Sequence, residues 1–150
     1  MDLRGRPCTL YPISAQGAGV MPTGFDFTPV AQAYMGGLVA DLSKAGLNVL
    51  MPVVGAPDQG LSIRGQIVRA DPGSRLMRYL FTWFAGAAVF EAEGQFGEGT
   101  VLLGSFHAKG TRRAGFGGGD SQKMLIDAAR LAGQQSAGQI LAALLATHQA

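Results

Sequence analysis

Residues 61–119, LSIRGQIVRADPGSRLMRYLFTWFAGAAVFEAEGQFGEGTVLLGSFHAKGTRRAGFGGG, decide how the rest of the chain is read. The stretch reads as three strands in succession, with arginines around a turn near its start and a glycine-rich loop at its end. Leu61–Ala70 alternates. Leu61, Ile63 and Ile67 fall on one face and Ser62, Arg64 and Gln66 on the other, the pattern of a half-buried strand. Asp71-Pro-Gly-Ser74 has the composition of a turn. Arg75–Phe84 is the densest apolar and aromatic segment of the chain. Val89–Phe96 alternates again, with Phe90 and Ala92 against Glu91 and Glu93. Gly97-Glu-Gly99 is a hairpin turn, and Thr100–Lys109 is the returning strand, with Leu102, Phe106 and Ala108 expected on one face.

Working outward, Thr9–Ala15 is a strand candidate with Pro12 inside it, so an edge strand or a first strand is expected, because proline gives the ladder no donor. Gln16–Phe27 is a Gly-, Pro- and Met-containing loop, whose Phe25 and Phe27 are expected to fold back onto the body. Thr28-Pro29 starts a helix: a capping hydroxyl, then proline at the first helical position. Val30, Tyr34, Leu38, Leu42 and Ala45 recur every three to four residues, and Gly46 caps the end. Gly36-Gly37 in the middle of this helix is explained by close helix-to-sheet packing. Asn48–Val54 is a short apolar strand, and residues 55–60 form a turn. Asp120 or Ser121 caps a last helix with Met124, Ala128, Leu131, Ile140 and Leu144 inward, weakened in its middle by Gly133 and Gly138. The order β-α-β-β-β-β-α predicts an α+β fold: one mixed or antiparallel sheet of about five strands with two main helices packed on it. Residues 1–27 contribute the first strand and loop to the same domain that residues 28–150 complete.

Composition sets limits on function. The chain has 150 residues, 47% of them hydrophobic and 15% charged, with 23 glycines that follow no period of three. That suffices for one domain with a real core and excludes collagen. The net charge is +2 and no basic tract forms, so nucleic-acid binding is not expected. Cys8 is the single cysteine, which leaves the redox compartment unreported. Met1–Pro7 cannot supply the apolar core of about 7–15 residues of a signal peptide. No run approaches the ~20 apolar residues of a membrane span.

The motifs are sparse. Gly115-Phe-Gly-Gly-Gly-Asp-Ser121 enters a helix, but Asp120 takes the capping position and Lys123 is misplaced for a phosphate-binding loop. A flexible connection with an N-cap is the simpler reading, and a small-ligand or enzyme pocket beside Gly115–Gly119 is the alternative. Trp83-Phe-Ala-Gly-Ala-Ala88 lacks the spaced glycines of a dinucleotide site and reads as core or a bulge. His107 and His148 with Cys8 do not make a zinc set, and no cofactor is expected. Glu91 and Glu93 share a strand face and can mimic a carboxylate pair, but a solvated face paired with Lys109 or Arg64 across the sheet is the simpler reading. Arg64, Arg69, Arg75 and Arg78 gather around the Asp-Pro-Gly turn. They form either one cationic patch or separate salt bridges to Asp71 and nearby carboxylates. No catalytic constellation can be argued from spacing.

Several segments resemble a bacterial domain-of-unknown-function family, number 4410, whose members are mostly predicted envelope lipoproteins. They are Leu42-Ser-Lys-Ala-Gly46, Leu61-Ser-Ile-Arg-Gly65, Asp71-Pro-Gly-Ser-Arg75, Arg78-Tyr-Leu and Phe84-Ala-Gly-Ala-Ala88. The resemblance runs from Thr28 to the C-terminus. Trp83-Phe84-Ala85 replaces a more glycine-rich version, and no lipobox precedes the domain. The resemblance implies a small α/β domain in the envelope or periplasm and carries no catalytic residue. With no signal peptide in the chain, the cytoplasm stays open. The expected function is a non-enzymatic binding or assembly domain with an envelope protein or polymer as partner, or a second copy of itself. The candidate surface is Arg64, Arg69, Arg75, Arg78, Tyr79, Trp83 and Phe84.

Overall fold

The computed structural model describes residues 3–14, 28–55, 60–71, 88–112 and 121–149. Among these, the elements in chain order are β1 (Pro7–Leu10), α1 (Thr28–Lys44), β2 (Asn48–Leu50), β3 (Leu61–Asp71), β4 (Ala88–Glu98), β5 (Val101–Arg112) and α2 (Ser121–Gln149). The strands form one mixed sheet in the order β2-β1-β3-β4-β5. β1 runs parallel to both β2 and β3, and β3, β4 and β5 are antiparallel in turn. The α+β class, the five strands and the two helices are as expected.

The helix start and stop follow local chemistry. α1 begins at Thr28, with Pro29 next. At its end Gly46 has φ +102°, a conformation that glycine adopts freely. The Gly46 amide donates to the Ser43 carbonyl at 2.9 Å, and the Leu47 amide to the Leu42 carbonyl at 3.2 Å. That pair of bonds is the Schellman arrangement, and buried Leu42 and Leu47 supply its hydrophobic contact. Val30, Tyr34, Leu38 and Leu42 are buried, as their spacing predicts.

β1 departs from expectation. It spans Pro7–Leu10 and lies inside the sheet, between β2 and β3. Pro7 occupies the first strand position and Pro12 falls beyond the last, so neither interrupts a ladder. β2, expected through Val54, stops at Leu50. The Asn48 amide donates to the Arg6 carbonyl at 2.9 Å. In a parallel ladder the amides of Leu50 and residue 52 would follow on the same side. Residue 52 is proline and has no amide, so the ladder ends.

Two bulges set which residues face the core. Between Ile67 and Arg69 the β3 register shifts. Strict alternation would turn Arg69 inward, but the bulge turns it out and brings Ala70 into the core. Between Phe96 and Gly97 the β4–β5 register shifts past Leu103. Leu102 therefore stands opposite Gly97 and is 62% exposed. It does not share the inner face of Phe106 and Ala108.

Both helices cover the face formed by Leu61, Ile63, Phe90, Phe96 and Phe106. α2 lies against β4 and β5, and α1 lies against α2. Gly37 of α1 serves this second contact and not the sheet, while a Cβ on Gly36 would meet nothing within 4 Å. A Cβ on Gly37 would sit 2.5 Å from the Arg130 carbonyl oxygen of α2, and one on Gly133 would strike the Tyr34 carbonyl oxygen of α1. The helices thus cross with their backbones touching. α2 is one continuous helix, because Gly133 sits in that crossing. Leu131, expected inward, is only half-buried. Across the crossing the Tyr34 hydroxyl and the Ser136 hydroxyl share a buried 2.8 Å hydrogen bond, and the Tyr34 ring lies 5.4 Å from that of Phe90. Burial outweighs that bond and pushes the Tyr34 hydroxyl up to about 12.

Candidate functional site

The opposite face of the sheet is polar. Register places three residues in each of three rows across β3, β4 and β5: Arg69–Glu91–Lys109, Gln66–Glu93–His107 and Arg64–Gln95–Ser105. The acidic residues thus stand in the middle strand with basic residues on either side, an arrangement that lets opposite charges pair across strands. Gln66 Nε2 donates to Glu93 Oε1 at 2.9 Å. His107 Nε2 reaches diagonally to Glu91 Oε2. The Arg64 guanidinium lies 3.6 Å from the centre of the Tyr11 ring, within cation–π range.

An open depression of about 700 Å³ runs over this face. Its floor includes Gly65, Gly94 and Phe106, its sides include Arg64, Gln66, Glu93, Gln95, Ser105 and His107, and Ser14, bridged to Gln66, closes it at the β3 edge. Gly65 and Gly94 stand opposite each other. On the core side the Phe106 ring lies across both, and a Cβ on Gly94 would sit 2.5 Å from it. The two glycines let the aromatic ring support the floor from beneath.

The sequence-predicted residues have different outcomes. Arg64 and Arg69 share the outer face, in separate rows. Lys109 stands opposite Glu91, as expected. Arg64 stands opposite Gln95 and lies over the Tyr11 ring. Arg75, Arg78, Tyr79, Trp83 and Phe84 lie outside the described residues, as do residues 72–74 of the turn, the loop at residues 16–27, Gly115–Gly119 and Asp120. The His148 side chain is likewise outside them. Sequence reasoning missed Tyr11, Gln135 and Gln139. The two glutamines reach from α2 to the free edge of β5. Among the described residues no group of three or more His, Cys, Asp or Glu is placed to hold a metal ion, and no helix is long and apolar enough to cross a membrane.

Cys8 is buried beneath the sheet. Burial pushes its thiol up to about 11, against a smaller downward pull from Arg6. A group whose folded value is raised supports folding fully below its unfolded value and loses that support as pH rises through the folded value. Native stability is therefore expected to fall between the ordinary thiol range near 8.5 and about 11. Urea unfolding of Cys8→Ala at stepped pH should show a flatter alkaline limb than the parent chain. Equal slopes would dismiss the thiol as the cause.

Solved structures share the fold. Protein XCC0632 from Xanthomonas campestris superposes with a TM-score of 0.66 at 12% identity, covering 99% of this chain and 90% of that one. The hypothetical protein CT253 from Chlamydia trachomatis gives 0.54 at 9% identity, covering 94% and 95%. The PelC dodecamer from Paraburkholderia phytofirmans gives 0.51 at 15% identity, covering 89% and 86%. At these identities the likeness is one of fold. No curated protein matches the sequence. The polar outer face, the two-helix cover and the sheet order all lie on a chain whose residues 29–149 match the family described as Domain of unknown function (DUF4410), and the protein belongs to that family.

Proposed function

We propose that this protein is a non-enzymatic binding and assembly domain of the bacterial cell envelope, and that its open sheet face receives the partner. The observation that carries this is the asymmetry of the sheet. One face is closed by both helices, and the other offers polar and charged rows around an open depression. Its polar groups engage one another: His107 with Glu91, Gln66 with Glu93, Arg64 with Tyr11. Such a surface suits shape and charge complementarity to a protein or polymer more than proton transfer. Arg64 and Arg69 begin the contact, and the sequence offers Arg75, Arg78, Tyr79, Trp83 and Phe84, outside the described residues, as further cationic and aromatic groups of the types favoured at interface centres. Family membership supports the envelope setting, and the fold shared with a dodecameric protein supports assembly.

Fractionation of cells expressing the full reading frame tests the reading. The protein should sediment with the envelope. Arg64→Gln combined with Arg69→Gln should release most of it, with the circular dichroism of the folded chain retained. A parent protein found wholly in the cytoplasmic fraction, or a double variant that stays bound, would refute it.

A further inference from the structure

The two edges of the sheet differ in their defences. β5 is sealed by α2. Gln139 Nε2 donates to the His107 carbonyl at 2.6 Å, the His107 amide donates to Gln139 Oε1 at 3.0 Å, and the Lys109 amide donates to Gln135 Oε1 at 3.2 Å. Two side-chain amides one helical turn apart thus take the bonds an added strand would make. β5 also carries the bulge at Leu103 and the charges of Lys109 and Arg112, further devices against strand addition. Among the described residues β2 shows neither such side-chain bonds nor a bulge. From Leu47 to Ala56 no residue is charged, and among the described residues no strand pairs with the outer side of β2. Immediately after it, Met51, Val53 and Val54 are 58%, 69% and 103% exposed.

The backbone direction decides what this edge accepts. The Asn48 amide faces β1, so Leu50 and Pro52 continue that side. Val49 of β2 turns its N–H and C=O groups to the open side, and Met51 and Val53 would do so in a strand prolonged beyond Leu50. Pro52, which ends the ladder with β1, leaves every outward position from Val49 to Val53 with its donor. The sequence pattern of a strand through Val54 then has a use that the single chain does not give it.

We propose that residues 48–54 pair antiparallel with the same residues of a second copy, making the β2 edge the seam of a two-fold dimer. A pairing centred on Met51 sets Val49 of one copy opposite Val53 of the other, so outward amides meet carbonyls and uncharged side chains meet their like. The side-chain bonds on His107 and Lys109 oppose β2-to-β5 addition, the head-to-tail arrangement, whereas β2-to-β2 pairing closes on itself in one step. The proposal rests on the assembly half of the reading above and names its surface.

Light scattering on the full chain through a dilution series tests it. The parent protein should be a dimer that dissociates on dilution. Met51→Pro, which deletes an outward donor outside the hydrogen-bonded strand, should be monomeric where the parent is dimeric, with its circular dichroism intact. Val53→Lys should do the same by placing charge on the edge. Gln135→Ala with Gln139→Ala should convert the dimer into larger species. A parent protein that is monomeric at every concentration overturns the seam together with the assembly reading. An oligomer that both Met51→Pro and Val53→Lys leave intact overturns the seam alone.

Discussion

Gly133→Val should lower the stability of the chain by about 3 kcal/mol, the upper end of the overpacking range. The new Cβ would strike the Tyr34 carbonyl oxygen and stand 2.9 Å from the Leu38 amide nitrogen. Those atoms are helix backbone and cannot turn aside as a side chain can, so α1 must move off α2. The movement would also stretch the Tyr34–Ser136 bond and reopen the reciprocal contact of Gly37 with Arg130. Gly138→Ala, five residues along the same helix, supplies the contrast. Nothing lies within 4 Å of its added methyl, and replacing an exposed helical glycine should raise stability by about 1 kcal/mol. Urea unfolding of the two variants should move the midpoint in opposite directions. If both move the same way, the backbone contact is not what fixes the crossing.

Phe90→Ala is expected to cost about 3–5 kcal/mol, or roughly 2–4 °C of unfolding temperature per kcal/mol for a chain of this size. Phe90 is fully buried and faces the Tyr34 ring. Its neighbours across the sheet are Ala70 and Gly110, too small to fill the space it would leave. Gly110 cannot be enlarged in compensation, because its Cβ would strike the Ala128 carbonyl oxygen of α2. The cavity therefore stays open, and calorimetry should place this loss above that of a half-buried position such as Leu131→Ala. A loss under 1 kcal/mol would mean that the helices collapse onto the sheet more freely than this packing allows.

The parts of the fold that rest on local chemistry were legible in the residues. Thr28-Pro29, the stripe from Val30 to Leu42 and Gly46 fix α1 without reference to anything distant. The alternation of Leu61–Ile67 and of Glu91 and Glu93 marks strand faces for the same reason. What escaped depends on pairing. Leu102 faces outward only because Leu103 is the surplus residue against β4, and no pattern within β5 reveals that. Pro12 suggested an edge, but the strand ends before it. Gly36-Gly37 announced a close approach and not its partner, since glycine records that space is short and not what fills it. At the site, Arg64, Glu91, Glu93 and His107 stood out as ionisable residues on strand faces, and the alternation turned them outward correctly. Their neighbours did not follow, because Arg64 finds Tyr11 through the parallel pairing of β1. Gln135 and Gln139 look like ordinary exposed helix residues until α2 is laid beside β5.

The position of β1 bears on where this domain can be cut. The family match begins at residue 29, but the strand at residues 7–10 lies between β2 and β3. A protein trimmed to the matched boundary would keep both neighbours and lose what joins them. With strands about 4.8 Å apart, the slot would be about 10 Å wide. Its walls would be two rows of unanswered parallel-ladder groups, open to any extended chain supplied in trans. The unit that folds alone is thus longer at its N-terminus than the unit that sequence kinship defines, and residues 7–10 belong to the sheet as fully as any strand within the match.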